Sequence, residues 1–417
     1  MDTDVRMLHT GSRSLWHHPE FLKLWAGQTI SIFGSGVTAN ALPLTAVLVL
    51  GANASEMGWL LAVESAPVLV VGLIAGVWVD RFRRRPLLIG ADLGRAGLLA
   101  CVPILAALGA LRIEHLFVVA ATTGVLTVVF DVAYRSFVPD LVGPDGVLEA
   151  NSRLATIEAV AEITTPGLTG ALVQVIAAPL AILLDAVSFV GSALCVLGIR
   201  RPERARPPGE ASHDVWSEIA EGLRAVGGSP TLRTLAAWEA LRNFFGMFIG
   251  ALYMLFGLRD LGLSPVLLGI TVGVGGASNL LGTLLVVRAT RRFGVGPTMV
   301  TAVLVGCVTP VLIALAPSQA VEGFVVLVAA QALDLIHPLY DVNALTLRQV
   351  STPDHLLGRV NATVHVIGRG VIPLGAVAGG ALGDAIGLRP TLLIAAGGIM
   401  LGALCLARSA IWSVSGR

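Results

Sequence analysis

The chain has 417 residues, of which 55% are hydrophobic and only 13% are charged, and its mean hydropathy is +0.82. A water-soluble domain of this composition could not cover its surface with polar groups, so the sequence predicts an all-α membrane protein. The formal net charge of +1 gives no indication of a nucleic-acid partner. The four cysteines lie inside apolar runs, without the spacing of a zinc site or a disulfide framework.

Apolar runs long enough to cross a bilayer predict twelve transmembrane helices, which we number as spans one to twelve. Six precede and six follow a polar segment that starts at Arg200. We therefore expect a first bundle at residues 1–199, a cytosolic linker at 200–229 and a second bundle at 230–417. After Asp214 the apolar residues of the linker share one helical face, which predicts a short amphipathic helix on the membrane surface. The spans are predicted to begin near Leu22, Met57, Leu87, Leu116, Ala150, Leu180, Leu232, Pro265, Val295, Val321, Leu356 and Pro390.

Most basic residues fall on one side of this arrangement. Of the 28 lysines and arginines, about 22 lie in segments assigned to one side and about 3 in segments assigned to the other. Short arginine-rich loops stay in the cytosol, so both chain termini are predicted to be cytosolic. We expect a multi-pass protein of the bacterial inner membrane. Three arginines are left inside spans, namely Arg95, Arg242 and Arg369.

The two halves of the chain also resemble each other. Matching residues recur at a constant offset of about 210 residues, which favours duplication over chance. Two pseudo-symmetric six-helix bundles with both termini on one side are typical of transporters whose halves move about a site near the middle of the membrane. The matches are Leu22 with Leu232, Asp131 with Asp341, Asn151 with Asn361, Gly170 with Gly380 and Cys195 with Cys405.

A densely charged stretch follows the second apolar run directly. It resembles the signature loop between spans two and three of the major facilitator superfamily, Gly-x-x-x-Asp-Arg-x-Gly-Arg-Arg. Arg83 stands at the usual second glycine. The residues in register are Gly76, Asp80, Arg81, Arg84 and Arg85.

Two further stretches are similar to one branch of that superfamily, the drug–proton antiporters that include macrolide efflux proteins and the enterobactin exporter. The run from Asp131 to Leu141 resembles the branch's region between spans four and five. In span five, antiporters carry a pattern that ends Gly-Pro-x-x-Gly-Gly. This chain keeps Pro166 and Gly170 of that pattern and has threonine at two of its glycine positions.

The resemblance implies a conformational latch at the signature loop. In the superfamily the loop aspartate is thought to bind the start of span eleven in the outward-open state, and span eleven begins here near His355. The loop arginines would then pair with acidic groups at the inner end of span four, Asp131 or Asp140. The alternative is that these arginines only set the orientation of the chain in the membrane. The predicted latch consists of Gly76, Asp80, Arg81, Arg84, Arg85 and Asp131.

Ionisable side chains deep in a span cost several kcal/mol unless they pair, protonate or face water, so each suggests a function. A carboxyl group desolvated in a cavity has a raised pKa and can exchange protons near neutral pH. The alternative is a set of structural ion pairs three residues apart, Glu239 with Arg242 and Asp334 with His337. The candidates for proton coupling or substrate binding are Glu162, Glu158, Asp334, Glu64, Arg242 and Arg369.

These features predict a proton-driven exporter of a small amphipathic compound such as a drug, a macrolide-like natural product or a siderophore. A phosphate-binding Gly-x-x-x-x-Gly-Lys and a soluble segment large enough for catalysis are both missing from the sequence. We therefore expect no enzymatic activity and no cofactor, with the proton gradient as the energy source. The expected partners are a small molecule, protons and the lipid bilayer, and the chain is expected to be monomeric. Two alternatives are an importer or facilitator of a polar metabolite and a membrane ligand sensor without net transport.

Overall fold

The computed structural model describes residues 15–71, 82–200 and 215–413. Three residues of the predicted latch, Gly76, Asp80 and Arg81, lie outside the described residues, as does the polar segment 201–214. The helices are α1 (Pro19–Leu48), α2 (Ala54–Val70), α3 (Arg84–Ala107), α4 (Ile113–Val142), α5 (Val147–Ile176), α6 (Ala178–Leu197), α7 (Val215–Gly228), α8 (Pro230–Arg259), α9 (Pro265–Phe293), α10 (Val295–Gly306), α11 (Val308–Leu315), α12 (Ala320–Ala332), α13 (His337–Val350), α14 (Leu357–Gly370), α15 (Ile372–Ile386) and α16 (Leu388–Ala407).

The helical segments confirm the predicted membrane fold. Within the described ranges, 11 segments are long and apolar enough to cross a membrane. The remaining predicted span is α2, which has 17 residues and ends beside the undescribed residues 72–81. Each segment begins within one helical turn of its predicted position. Spans nine, ten and eleven each contain two helices, α10 with α11, α12 with α13, and α14 with α15.

Several helices start where the sequence supplies the acceptors that helix N-termini need. The side chain of Asn53 accepts the backbone N–H of Glu56, and the Glu56 side chain accepts the N–H of Asn53, so α2 begins with a capping box. Ser229 and Ser264 cap α8 and α9 more simply, since each side chain accepts the backbone N–H three residues further on and each serine is followed directly by proline.

Packing within the two halves follows the repeat. In the first half α1 packs against α5 and α6, and in the second half α8 packs against α15 and α16. The α3–α6 and α3–α4 contacts likewise have counterparts between span nine and α16 and between span nine and span ten. Repeat-related helices therefore make equivalent contacts in the two halves, which confirms two pseudo-symmetric bundles.

The halves meet mainly through α5 with α9 and through α2 with α15. A Cβ atom at Gly170 would collide with the Pro265 carbonyl oxygen, and one at Gly380 would lie 2.6 Å from the Ala54 carbonyl oxygen. These are repeat-related glycines, and both contacts lie near the end of the bundle where α1 ends and α2 begins. We call it the closed end, because here the two halves touch at backbone distance.

Helix α7 packs against α14 and α8 at the opposite end of the bundle. The Arg359 guanidinium on α14 lies 2.5 Å from the Glu221 carboxylate on α7. Gly222 faces Thr363, and a Cβ atom there would collide with the threonine hydroxyl. The linker helix is thus attached to the start of span eleven.

Candidate functional site

A cavity of about 520 Å³ lies mainly in the second half, with α1 and α2 forming one wall. We call it the apolar cavity. Its size falls in the range of sites for drug-sized ligands. Three methionines are part of the wall, and the flexible thioether chain of methionine adapts to different ligand shapes. The methionine and aromatic lining residues are Met57, Met247, Met254, Trp238, Tyr253 and Tyr340.

Four ionisable groups line the apolar cavity, and three of them, Glu64, Asp334 and Arg242, were predicted from the sequence. The Arg242 guanidinium lies 3.2 Å from the carboxylate of Asp341 on α13, and no ion pair joins it to Glu239 among the described residues. The acidic groups Glu64 and Asp334 therefore face a cavity whose single arginine already has an anionic partner.

Asp334 occupies a break in span ten. A 3-10 turn, Leu333–Ile336, separates α12 from α13, and Pro338 follows at the start of α13. The Asp334 Oδ1 atom is buried and has no hydrogen-bond partner within the described ranges, although His337 Nδ1 lies 3.7 Å from it. A Cβ atom at Gly275 on α9 would lie 3.1 Å from the Asp334 carboxylate, so the glycine leaves room for it. Broken helices at mid-membrane are typical of transporter binding sites.

A second cavity, of about 600 Å³, lies in the first half between α1, α3, α4 and α5. We call it the polar cavity. Asp131, Arg135 and Glu158 line it. In the described part of the chain, Gln28 Nε2 and the Tyr134 hydroxyl are buried at its wall without a hydrogen-bond partner. Such atoms favour a ligand that supplies the missing partners.

Arg95 forms the back of the polar cavity. Its guanidinium lies 2.5 Å from the Asp92 carboxylate, and both side chains are buried. It is also held between two rings, 4.5 Å from the Phe130 centroid and 4.0 Å from the Phe189 centroid. Ion pair and cation–π contacts together fix this charge in place.

The two cavities follow each other along α1. Gln28 to Ser35 line the polar cavity, and Ala39 to Pro43 line the apolar cavity nearer the closed end. One turn of helix separates the two stretches. A ligand that passes along α1 would therefore meet both.

The predicted latch residues that are described lie in different environments. The Arg84 guanidinium lies 2.6 Å from the Asp140 carboxylate, whereas Asp131 faces the polar cavity. Arg85 donates to the carbonyl oxygens of Val196 and Leu197 at the end of α6, at 3.2 and 2.5 Å. The latch itself stays a prediction, because Asp80 lies outside the described residues.

The other predicted residues do not gather at one site. Glu158 lines the polar cavity, but Glu162 lies outside both cavities, and a Cβ atom at Gly276 on α9 would lie 3.4 Å from its Cγ. Arg369 is exposed in the last turn of α14.

Pro166 and Gly170 have a packing role. The Pro166 carbonyl oxygen leaves no room for a Cβ atom at Gly269 of α9, just as Gly170 accommodates Pro265. The antiporter-like pattern of span five therefore places α5 against the other half.

Some functional candidates were missed from the sequence. Gln28 and Tyr134 had no spacing pattern that marked them, and Asp341 was noted only as the repeat partner of Asp131. Arg95 was noted as an arginine inside a span, near Asp92, and not as part of a cavity. Its charge in an apolar run was the available signal.

Comparison with known proteins agrees with this architecture. Residues 24–376 match the Major Facilitator Superfamily. The chain belongs to that superfamily. It is 29% identical to the multidrug efflux pump Tap of Mycolicibacterium fortuitum, over 90% of this chain and 91% of Tap. It is 24% identical to macrolide efflux protein A of Streptococcus pyogenes, over 90% of this chain and 92% of that protein. The resemblance to macrolide efflux proteins is thus confirmed.

Solved structures show the same fold at low identity. The nucleoside transporter NupG superposes with a TM-score of 0.74 at 12% identity, over 93% of this chain and 98% of NupG. A bacterial homologue of the iron transporter ferroportin, 17% identical, superposes with a TM-score of 0.74 in its inward-facing state, over 94% of this chain and 98% of that one. Its outward-facing state gives 0.57, over 94% and 99%. As a member of the superfamily, the chain is a multi-pass membrane transporter with a small-molecule substrate.

Proposed function

We propose that this transporter exports small amphipathic compounds that carry a basic group, in exchange for protons. The observation that carries the proposal is the Asp334 carboxyl, which lies at the break of span ten with one oxygen buried and without a hydrogen-bond partner in the described part of the chain. An ionisable group in this position is costly unless a ligand or a proton neutralises it. Similarity to Tap and to macrolide efflux protein A supports export.

The substrate would pass through both cavities in turn. Its apolar body fits the methionine-lined apolar cavity, where contacts are adaptable rather than directional. On entry its basic group would first meet Asp131 and Glu158 in the polar cavity, where Gln28 supplies a free donor for a hydroxyl group, and would then reach Asp334 in the apolar cavity. This chemistry favours amine-bearing drugs and macrolide-like compounds over siderophores, which are commonly anionic.

Coupling follows from competition at Asp334. A proton and the basic group of a substrate would neutralise the same carboxylate, so that binding of one releases the other. Glu64, which lines the same cavity, is the second group able to take part. No cofactor enters this scheme, and the proton gradient supplies the energy.

We propose that the closed end faces outward and that both termini are cytosolic. The excess of basic residues at the opposite end supports this orientation. The higher TM-score with the inward-facing ferroportin homologue also supports it. The bacterial inner membrane, a monomeric state and the division into 1–199, 200–229 and 230–417 belong to the same proposal.

Reconstitution into proteoliposomes tests the proposal. An imposed pH gradient is expected to drive a fluorescent cationic amphipath, such as ethidium, against the flow of protons, and Asp334→Asn is expected to lower the rate of this exchange at least about tenfold. Movement of substrate and protons in the same direction would instead indicate an importer. Saturable ethidium binding without gradient-dependent flux would indicate a ligand sensor.

A further inference from the structure

At the closed end, the loop between α1 and α2 of the first half contacts charged side chains of the second half. The carboxylate of Asp384, on α15, accepts the backbone N–H groups of Ala54 and Ser55, each at 3.0 Å. These are the first N–H groups of α2, which have no acceptor inside their own helix. A negative charge at a helix N-terminus is also favoured by the helix dipole.

A second side chain holds the same loop. Arg259, the last residue of α8, donates from Nη2 to the carbonyl oxygens of Gly51 and Ala52, each at 2.8 Å. Asn53 lies between the two sets of contacts and caps α2 through its capping box. The second half therefore grips residues 51–55 through an anion that accepts N–H groups and a cation that donates to carbonyl groups.

The repeat-related contact between α5 and α9 cannot form this grip. The position that matches Ser55 is Pro265, and proline has no backbone N–H. The positions that match Asp384 and Arg259 are Gln174 and Val49, which carry no charge. Both interfaces, α5 with α9 and α2 with α15, have the close glycine contacts. Only the second of them has the charged contacts among the described residues.

We propose that Asp384 and Arg259 form a lock, the closed-end clamp, that holds α15 against α2 and favours the conformation in which this end is shut. Alternating access must break the clamp, because α15 and α2 belong to different halves. The proposal rests on the proposed transport, in which the two ends of the bundle open in turn, but not on the substrate, the coupling ion or the direction of transport. Since Asp384 is exposed to solvent, the clamp biases the two conformations rather than fixing one.

The clamp has the same form as the latch predicted at the opposite end. There, Asp80 near the end of span two would bind the start of span eleven, whereas at the closed end Asp384 near the end of span eleven binds the start of span two. Each conformation would thus keep one carboxylate on one helix N-terminus. Switching would exchange the two interactions between the same pair of spans.

Distance measurements between spin labels test the clamp. After replacement of the four native cysteines, one label pair at exposed Leu108 and Val321 reports on the closed end, and a second pair at exposed Leu148 and Phe293 reports on the opposite end. We expect Asp384→Asn to lower the ratio of closed to opened populations about three- to tenfold. The first distance should then lengthen while the second shortens.

A second variant removes a donor instead of the charge. Ser55→Pro deletes one N–H that Asp384 accepts, at a position where the repeat already carries a proline, and should shift the ratio in the same direction by a smaller factor. Glu114→Gln removes an exposed carboxylate at the same end, on α4, and should leave both distances unchanged.

Unchanged distances in both monodisperse clamp variants would overturn the proposal. If Asp384→Asn does not fold, Ser55→Pro and Arg259→Gln decide by the same criterion. Ethidium flux, measured in parallel, separates the clamp from the proposed function. If the distances shift in the variants but the parent protein shows no flux, the clamp is supported and only the proposed function is contradicted.

Discussion

The apolar cavity and the polar cavity lie one after the other along α1, but the polar cavity is built from the first half of the chain and the apolar cavity mainly from the second. The polar cavity is bounded by continuous helices, and its deepest charge, Arg95, is held by Asp92 and by two aromatic rings. The apolar cavity is bounded by flexible methionines and by the broken span ten. The first wall is fixed, whereas the second can change shape.

The difference arises within an otherwise symmetric fold. Span four is one helix from Ile113 to Val142, whereas its counterpart, span ten, is interrupted by a 3-10 turn before Pro338. The interruption places Asp334 in the cavity and leaves one of its oxygens without a partner among the described residues. The duplicated fold places the helices, and the break in span ten of the second copy creates the Asp334 site.

The largest effect is expected at Asp334. Asp334→Asn keeps the shape of the side chain but cannot gain or lose a proton, so gradient-driven ethidium flux should fall at least about tenfold. Asp145→Asn, at an exposed carboxylate outside both cavities, should transport like the parent. Full flux in Asp334→Asn would place coupling elsewhere, with Glu64 next to be tested.

The ion pair in the wall of the polar cavity can be removed by replacing Arg95. Arg95→Met leaves the buried Asp92 carboxylate without its cation, and loss of one partner of a buried pair costs about 3 to 5 kcal/mol. The melting temperature in detergent should drop accordingly. The double variant Arg95→Met with Asp92→Leu should recover much of the loss, because both charges are then gone. A double variant as unstable as the single one would show that the cation–π contacts matter more than the ion pair.

The two carboxylates that line the polar cavity can be removed separately from those of the apolar cavity. Asp131→Asn combined with Glu158→Gln should raise the KM for an amine-bearing substrate about tenfold while kcat changes little, since one desolvated ionic contact is lost. An uncharged analogue of the same substrate should show no change in KM. Equal losses for both substrates would argue that this cavity does not recognise the basic group.

The adaptable wall should give the smallest effects. Met254→Leu conserves volume and removes flexibility, so KM is expected to change by about two- to threefold, in opposite directions for a small and a large substrate. Transport of a series of amphipaths of graded size measures this. A uniform change across the series would indicate a general packing defect and not a loss of adaptability.

Much of the site could not be predicted from spacing along one helix. Glu158 and Glu162 are four residues apart, and both were candidates for proton coupling or substrate binding, yet one lines the polar cavity and the other lies against Gly276 of α9. Arg242 was considered a partner of Glu239 on its own helix and is paired with Asp341 on α13. Neighbours on one helix face diverge when two different elements pack against that face.

By itself, the sequence indicated the superfamily through the resemblance of its motifs, and it determined the membrane class, the approximate number and positions of the spans, and the duplication. It could do so because hydrocarbon thickness sets the length of each apolar run, and excluded charges mark where the runs end. Only the tertiary structure decided which charges meet in which cavity and how the two halves close. Those contacts join residues from separate spans, such as Asp384 with the N-terminus of α2, and they depend on distances between helices that no periodicity within one helix can encode.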